Sequence, residues 1–307
     1  MLIPAKAGIH AKNETMKNAL LVIALLALSA AVSFITVRTL NDKSAAAKSE
    51  TAYERVMRTQ TIRCGYVVFS YGILKDPNTG AMSGLDYEVT ETLGHKLNLK
   101  IDWVEEVGWG TAISGLNTGR YDAVCNAAWV NPTQGREAYF SRPYLYQPLF
   151  VVTRANDARF DQDMSAIDNP AVQIGSMDGD DPQFIAQEDF PKAHIYNIPA
   201  MSGVPMVFEA VADGKADLTF SDPYEFGDYN ARNPGKLKMT QTARPVRIYP
   251  AGYIMPMGDD KFRVMIDTAL DEIIYSGQMD KILARYAKYP YSFIPVERPR
   301  TIERIAP

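Results

Sequence analysis

The chain has 307 residues, 47% hydrophobic and 22% charged, enough for a buried core and about two domains at ~150 residues each. A net charge of −4 and the lack of any Lys/Arg-rich stretch exclude a nucleic-acid partner. The three histidines, His10, His95 and His194, share no metal-ligand spacing with one another or with a cysteine, so no metal or other cofactor is expected.

Residues 1–15 read as neither a signal nor a fold, and Met16 reads as the natural start, leaving 1–15 as a non-native or untranslated leader. Lys17 precedes an uncharged run, Ala19 to Val37, whose 19 residues fall inside the ~17–25 that span a bilayer. Residues 16–38 therefore form either a cleaved signal peptide, with small-x-small sites at Ala27-Leu28-Ser29 and Ala31-Val32-Ser33, or an uncleaved anchor. No cysteine ends the run, which excludes a lipoprotein, and Lys17 keeps its own side in the cytoplasm. Both readings place the remainder in the periplasm, secreted or tethered to the inner membrane. Residues 39–51 are a polar, Ala-rich linker.

Strands and helices then alternate. Thr61 to Val68 is β-rich; Leu85, Val89, Leu93 and Leu97 mark an amphipathic helix that Asp86 is placed to cap; Leu99 to Val104 is a strand. A short helix at Ala112 to Leu116 and a strand at Tyr121 to Cys125 complete a β-α-β-α-β order, which implies a parallel sheet covered by helices. A similar unit recurs, with a strand at Ala171 to Ser176, a helix at Val207 to Val211 and a strand at Leu218 to Phe220. Each unit feeds its last strand from a G-[KR]-x-D turn: Gly119-Arg120-Tyr121-Asp122 and Gly214-Lys215-Ala216-Asp217. Two copies of one α/β unit suggest two lobes. Helices follow at Phe262 to Ile273 and Met279 to Tyr286, and the proline-bearing tail beyond Pro290 is expected to wrap the surface without regular structure. Cys64 and Cys125 permit one disulfide in an exported protein and otherwise serve as small buried hydrophobes.

Six segments, in order, resemble the bacterial extracellular solute-binding proteins of family 3, the amino-acid-binding type. They are Thr61 to Gly65, Gly84 to Glu88, Leu116 to Val124, Phe140 to Tyr144, Gly214 to Asp222, and Gly277 to Ile282; the likeness covers about residues 52–290. The resemblance implies a type II periplasmic binding protein-like fold, a Venus flytrap of two α/β lobes joined by two crossover segments. Lobe 1 would combine residues 52–149 with 252–290, lobe 2 would be 150–251, and 291–307 the tail. It also implies a monomer that delivers a small polar solute to an ABC permease in the inner membrane.

The same resemblance locates a site and shows where this chain departs from the pattern. The family arginine that grips a ligand carboxylate falls on Gln134, with Arg136 two residues later. The helix N-terminus whose N–H groups bind that carboxylate falls on Gly179-Asp180-Asp181, where two acids would repel it. Asp222, matched to the ammonium-binding residue, is retained; Trp109 and Trp129 are aromatic at cleft positions, and Tyr71 with Ser70 comes from the first-lobe loop. Such a cleft favours a cationic or amine-bearing solute, to which each aromatic face adds ~0.5–2 kcal/mol when desolvated. Competing structural roles are helix capping for Asp180 and Asp181 with Pro182 behind them, lobe core for Trp109, and an Arg136 swung into the cleft to restore α-amino-acid binding. A dehydratase on the same fold would need a paired acid and base; Asp180 with Asp222 could serve, but no His or activated nucleophile accompanies them. A sensor subunit would need a partner to carry the output, because only about 18 residues precede the apolar run.

Overall fold

A computed structural model describes residue 23 and residues 25–33, 50–240 and 245–297. The chain divides into residues 1–50 and 51–307. In the first unit residues 25–33 are helical (α1), with Leu25, Leu26 and Leu28 exposed. Among the described residues no helix is long and apolar enough to cross a membrane. The leader 1–15, the linker up to residue 49, residues 19–22, 24 and 34–37 of the apolar segment and residues 298–307 lie outside the described residues.

The second unit opens on α2 (Ala52–Thr59), started by a capping box in which Thr51 accepts from the Glu54 N–H and Glu54 accepts from the Thr51 N–H. Strands β1 (Thr61–Tyr66), β4 (Lys100–Glu106) and β5 (Ala123–Trp129) run parallel in the order β4-β1-β5. The small hairpin β2 (Leu74–Lys75) and β3 (Met82–Ser83) and the helices α3 (Leu85–Leu97) and α4 (Ala112–Asn117) connect them. After β6 (Ala138–Phe140), strand β7 (Leu145–Arg154) leads into a second parallel set. That set comprises β8 (Gln173–Met177), α5 (Asp181–Asp189), β9 (His194–Ile198), α6 (Val204–Ala212) and β10 (Leu218–Ser221), followed by α7 (Pro223–Arg232) and β11 (Leu237–Met239), which pairs antiparallel with β7. The chain returns through β12 (Arg247–Pro256) to α8 (Asp260–Tyr275), α9 (Gln278–Tyr286) and the short β13 (Ile294–Pro295).

The strand order β4-β1-β5-β12-β7-β10-β8-β9 makes two α/β lobes share one sheet. The antiparallel pair Leu145–Leu149 with Arg247–Ala251 lies at its middle. Beyond Leu149, β7 pairs with β10 and β11 of the second lobe; beyond Tyr249, β12 pairs with β5 and β6 of the first. Val56, Leu85, Leu93, Phe262, Leu270 and Ile282 belong to one core, and Val151, Phe160, Ile174, Ile185 and Leu218 to the other.

The repeated G-[KR]-x-D turn has the same job in both lobes. Gly119 and Gly214 take φ of +71° and +76°, which glycine adopts without a Cβ clash. The aspartate that follows accepts the N–H of the neighbouring strand: Asp122 from Arg63 at 2.7 Å and Asp217 from Gln173 at 2.9 Å. Arg55 and Arg63 pair with Asp122, and Arg154 and Arg159 with Asp217.

Two expectations change. Asp86 does not cap α3; Gly84 holds that position at φ +118°, and Asp86 is buried, accepting from Ala127 N (3.1 Å) and the Tyr144 hydroxyl (2.9 Å). In its described part, residues 291–297, the tail is not wholly irregular: β13 adds to the edge of β7. Just before it, Lys288 and Tyr289 bond Asp228 of α7 at 2.7 and 3.0 Å, and the Tyr289 ring fills the space beside Gly227. Cys64 and Cys125, on adjacent strands with Cα atoms 5.5 Å apart, form a disulfide.

Candidate functional site

The facing ends of the two lobes enclose a cleft. Its inner chamber, about 50 Å³, is lined by Phe69, Tyr71, Trp109, Ala127, Trp129 and Gln147 from the first lobe and the sheet, and by Asp180, Asp181, Val204, Asp222 and Glu225 from the second. Six of the residues singled out in the sequence therefore meet here: Tyr71, Trp109, Trp129, Asp180, Asp181 and Asp222. Ser70 lines an adjoining outer chamber of about 410 Å³, where its Oγ is buried with no hydrogen-bond partner among the described residues. Gly179 contributes closeness rather than a side chain: at φ +77°, a Cβ on it would stand 2.9 Å from Gly110 Cα across the cleft. Gln134 lies in the short 3₁₀ turn Gln134–Arg136, its N–H donating to Asn131 Oδ1 at 2.9 Å, and lines neither chamber; Arg136 is exposed there.

The aromatic walls are held rigidly. Trp129 stacks on Tyr249 with ring centroids 5.2 Å apart and belongs to the edge of both cores. Phe69 packs edge-on to Tyr71 at 4.9 Å and to Trp109 at 5.7 Å. Buried Gln147 orients two of them, accepting from Trp129 Nε1 at 2.6 Å and donating to the Tyr71 hydroxyl.

The acids sit at two helix starts. Asp222 caps α7, its Oδ1 accepting from Tyr224 N (2.8 Å) and Glu225 N (3.1 Å). Asp180 caps α5, accepting from Asp181 N at 2.9 Å, with Pro182 in the first turn. Gln183 turns back to take the Gly179 N–H at 2.9 Å. The N–H donors that could have met a ligand carboxylate at this terminus are thus engaged by the protein's own oxygens. Asn131, from the first lobe, donates to Asp181 Oδ1 at 3.1 Å and ties the lobes together.

Over residues 66–289 the chain matches the bacterial extracellular solute-binding proteins, family 3. It belongs to that family. This solute-binding protein is 23% identical over 241 residues to a probable amino-acid ABC transporter-binding protein of Haemophilus influenzae, covering 77% of this chain and 88% of the relative. It is 25% identical over 245 residues to the cyclohexadienyl dehydratase of Pseudomonas aeruginosa, covering 78% and 87%. Among solved structures, an ancestral amino acid-binding protein described as a precursor of cyclohexadienyl dehydratase superposes with a TM-score of 0.66 at 22% identity, covering 78% of this chain and 100% of that one. A Streptococcus pneumoniae amino acid ABC transporter substrate-binding protein bound to L-arginine gives 0.65 at 12% identity, with 76% and 97% covered. These likenesses establish the two-lobed type II fold.

Electrostatically, the inner chamber of this binding protein has four carboxyls and, among the described residues, no lysine, arginine or histidine in its lining. Burial pushes Asp180 and Asp222 each up to about 6, against the counteracting backbone N–H bonds they accept. Asp181 and Glu225 are held well above the usual carboxylate range, by burial first and then by repulsion from Asp180 and Asp222 respectively. Glu225, Phe69 and Gln147 were not singled out from sequence. Glu225 had a legible signal, since Asp222-Pro-Tyr-Glu225 sets an acid at the third helical position after a capping aspartate. Gln147 is a polar residue in the largely apolar stretch Leu145 to Val152 of β7; Phe69 gave no signal.

Proposed function

We propose that this protein is the extracytoplasmic solute-binding component of an ABC-type importer, and that its cleft takes a cationic or amine-bearing solute. The role in import rests on the membership of its family and on relatives named as ABC transporter-binding proteins. One observation carries the ligand class: four carboxyls face one small chamber with aromatic walls and no protein cation. Ionised carboxylates in such a place are costly unless a positive charge joins them. An ammonium or guanidinium entering between Asp222, Glu225, Asp180 and the Trp109 and Trp129 faces supplies that charge. The occupied N–H groups at the start of α5 and the withdrawal of Gln134 argue against an α-carboxylate held in the family manner.

A thermal-shift panel on the full chain tests this reading. Diamines and quaternary amines are expected to raise the melting temperature. Stabilisation by ordinary α-amino acids together with indifference to amines would overturn it.

A second reading is a dehydratase, favoured by the Pseudomonas relative and by carboxyls held near neutral pKa, as a general acid requires. The binding role is preferred because no His accompanies the acids in the chamber. Incubation with a cyclohexadienyl substrate is expected to give no aromatic absorbance above the uncatalysed rate.

A further inference from the structure

We infer that the solute is an amphipathic monocation, with one compact charged head for the inner chamber and an apolar body for the outer one. This rests on the cationic reading above and narrows it. The inner chamber, at about 50 Å³, holds a head group and little more. The outer chamber, at about 410 Å³, lies within the ~300–1,000 Å³ that small-molecule sites occupy, so the bulk of the ligand belongs there. The two adjoin, sharing Phe69, Trp109, Val204 and Glu225 in their linings. A ligand with its head among the carboxyls would carry its body past these shared residues into the larger chamber.

What it meets outside is mainly apolar: Val67, Leu74, Val107, Met201, Pro205 and Phe208. The charges there discourage a second ammonium. Glu106 is paired with Lys75 at 3.5 Å and Asp228 with Lys288 at 2.7 Å, and Arg232 adds a positive charge to the lining. Glu225, the remaining acid, is shared with the inner chamber and is used by the head. Methionine at the rim suits an apolar body of irregular shape, since its unbranched side chain repacks around what it touches; Met201 is 67% exposed and free to do so.

Titration calorimetry on the full chain separates the possibilities, using methylamine, butylamine, hexylamine, phenethylamine, 1,5-diaminopentane and 6-aminohexanoate. Each buried methylene is worth about fourfold in affinity, so hexylamine is expected to bind roughly 15-fold tighter than butylamine. Hexylamine and phenethylamine should both exceed the diamine and the amino acid of similar length. In the Met201→Glu variant the ratio of hexylamine to methylamine affinity is expected to fall at least tenfold. An affinity that is flat with chain length, or that favours 1,5-diaminopentane or 6-aminohexanoate, would overturn the apolar subsite while leaving the cationic head group standing. Silence from every amine, with binding of α-amino acids, would remove both.

Discussion

Asp222 carries two duties on one side chain. Its Oδ1 caps α7, and the carboxylate as a whole faces the chamber beside Tyr71 and Glu225. Asparagine caps a helix as well as aspartate does. Asp222→Asn should therefore change the stability by less than about 1 kcal/mol in urea, while amine affinity falls about 10- to 100-fold through loss of a charge-assisted bond worth ~1.5–3 kcal/mol. The raised acids also set a pH dependence. Asp86, Asp180 and Asp222 stand at about 6 because burial disfavours their charge, against an ordinary 3.8. The folded state thus holds these protons more tightly than the unfolded chain. The stability they contribute is full below about pH 4 and is lost as pH rises through 6. Melting temperature measured from pH 4 to 7 should fall for the free protein from this cause. A saturating amine, which prefers the ionised acids, should reverse the slope. At this scale the sequence was informative where a motif had an expected partner, as at Asp222 and the two tryptophans. It was silent at Phe69, an apolar side chain whose placement beside Tyr71 and Trp109 only the fold supplies.

The elements with strong periodicity, α3 and α8, were legible because their apolar faces recur every three or four residues. Their ends were less so. Asp86 looked like a cap because short acids favour helix starts, yet Gly84 takes the cap position and Asp86 turns inward to the backbone of Ala127. At α5 the double acid could be either cap or ligand group from sequence, and the structure shows Asp180 capping while both acids line the chamber. Strands β1 and β5 carry the disulfide, whose cysteines are 61 residues apart in sequence. Closing a loop of that length restricts the unfolded chain, by a chain-entropy estimate of about 4 kcal/mol. The Cys64→Ala/Cys125→Ala double variant should lose ~2–4 kcal/mol in a urea melt. Unchanged stability would mean that the reduced form already retains this part of the sheet.

At the scale of the whole molecule, how closely the lobes approach was invisible in the sequence, because no local pattern encodes a contact between residues as distant as Gly110 and Gly179. Their backbones meet so tightly that a single Cβ at Gly179 would stand 2.9 Å from Gly110 Cα, at a φ of +77° that disfavours any side chain. Gly179→Ala should hold the lobes apart. Calorimetry is expected to show at least a tenfold loss of solute affinity, with about 1–3 kcal/mol of stability lost to backbone strain. The strap after α9 has a consequence of a different kind. It begins on a first-lobe helix and fastens to α7 of the second lobe through Lys288, Tyr289 and Asp228. A parting of the lobes would have to break these bonds, so the clasp is expected to act on timing. Release must wait for it to undo, whereas capture by the already open form does not. Stopped-flow measurements on a Lys288→Ala/Tyr289→Phe variant should show faster dissociation with an unchanged association rate, making the segment after α9 the part that sets how long a solute stays aboard.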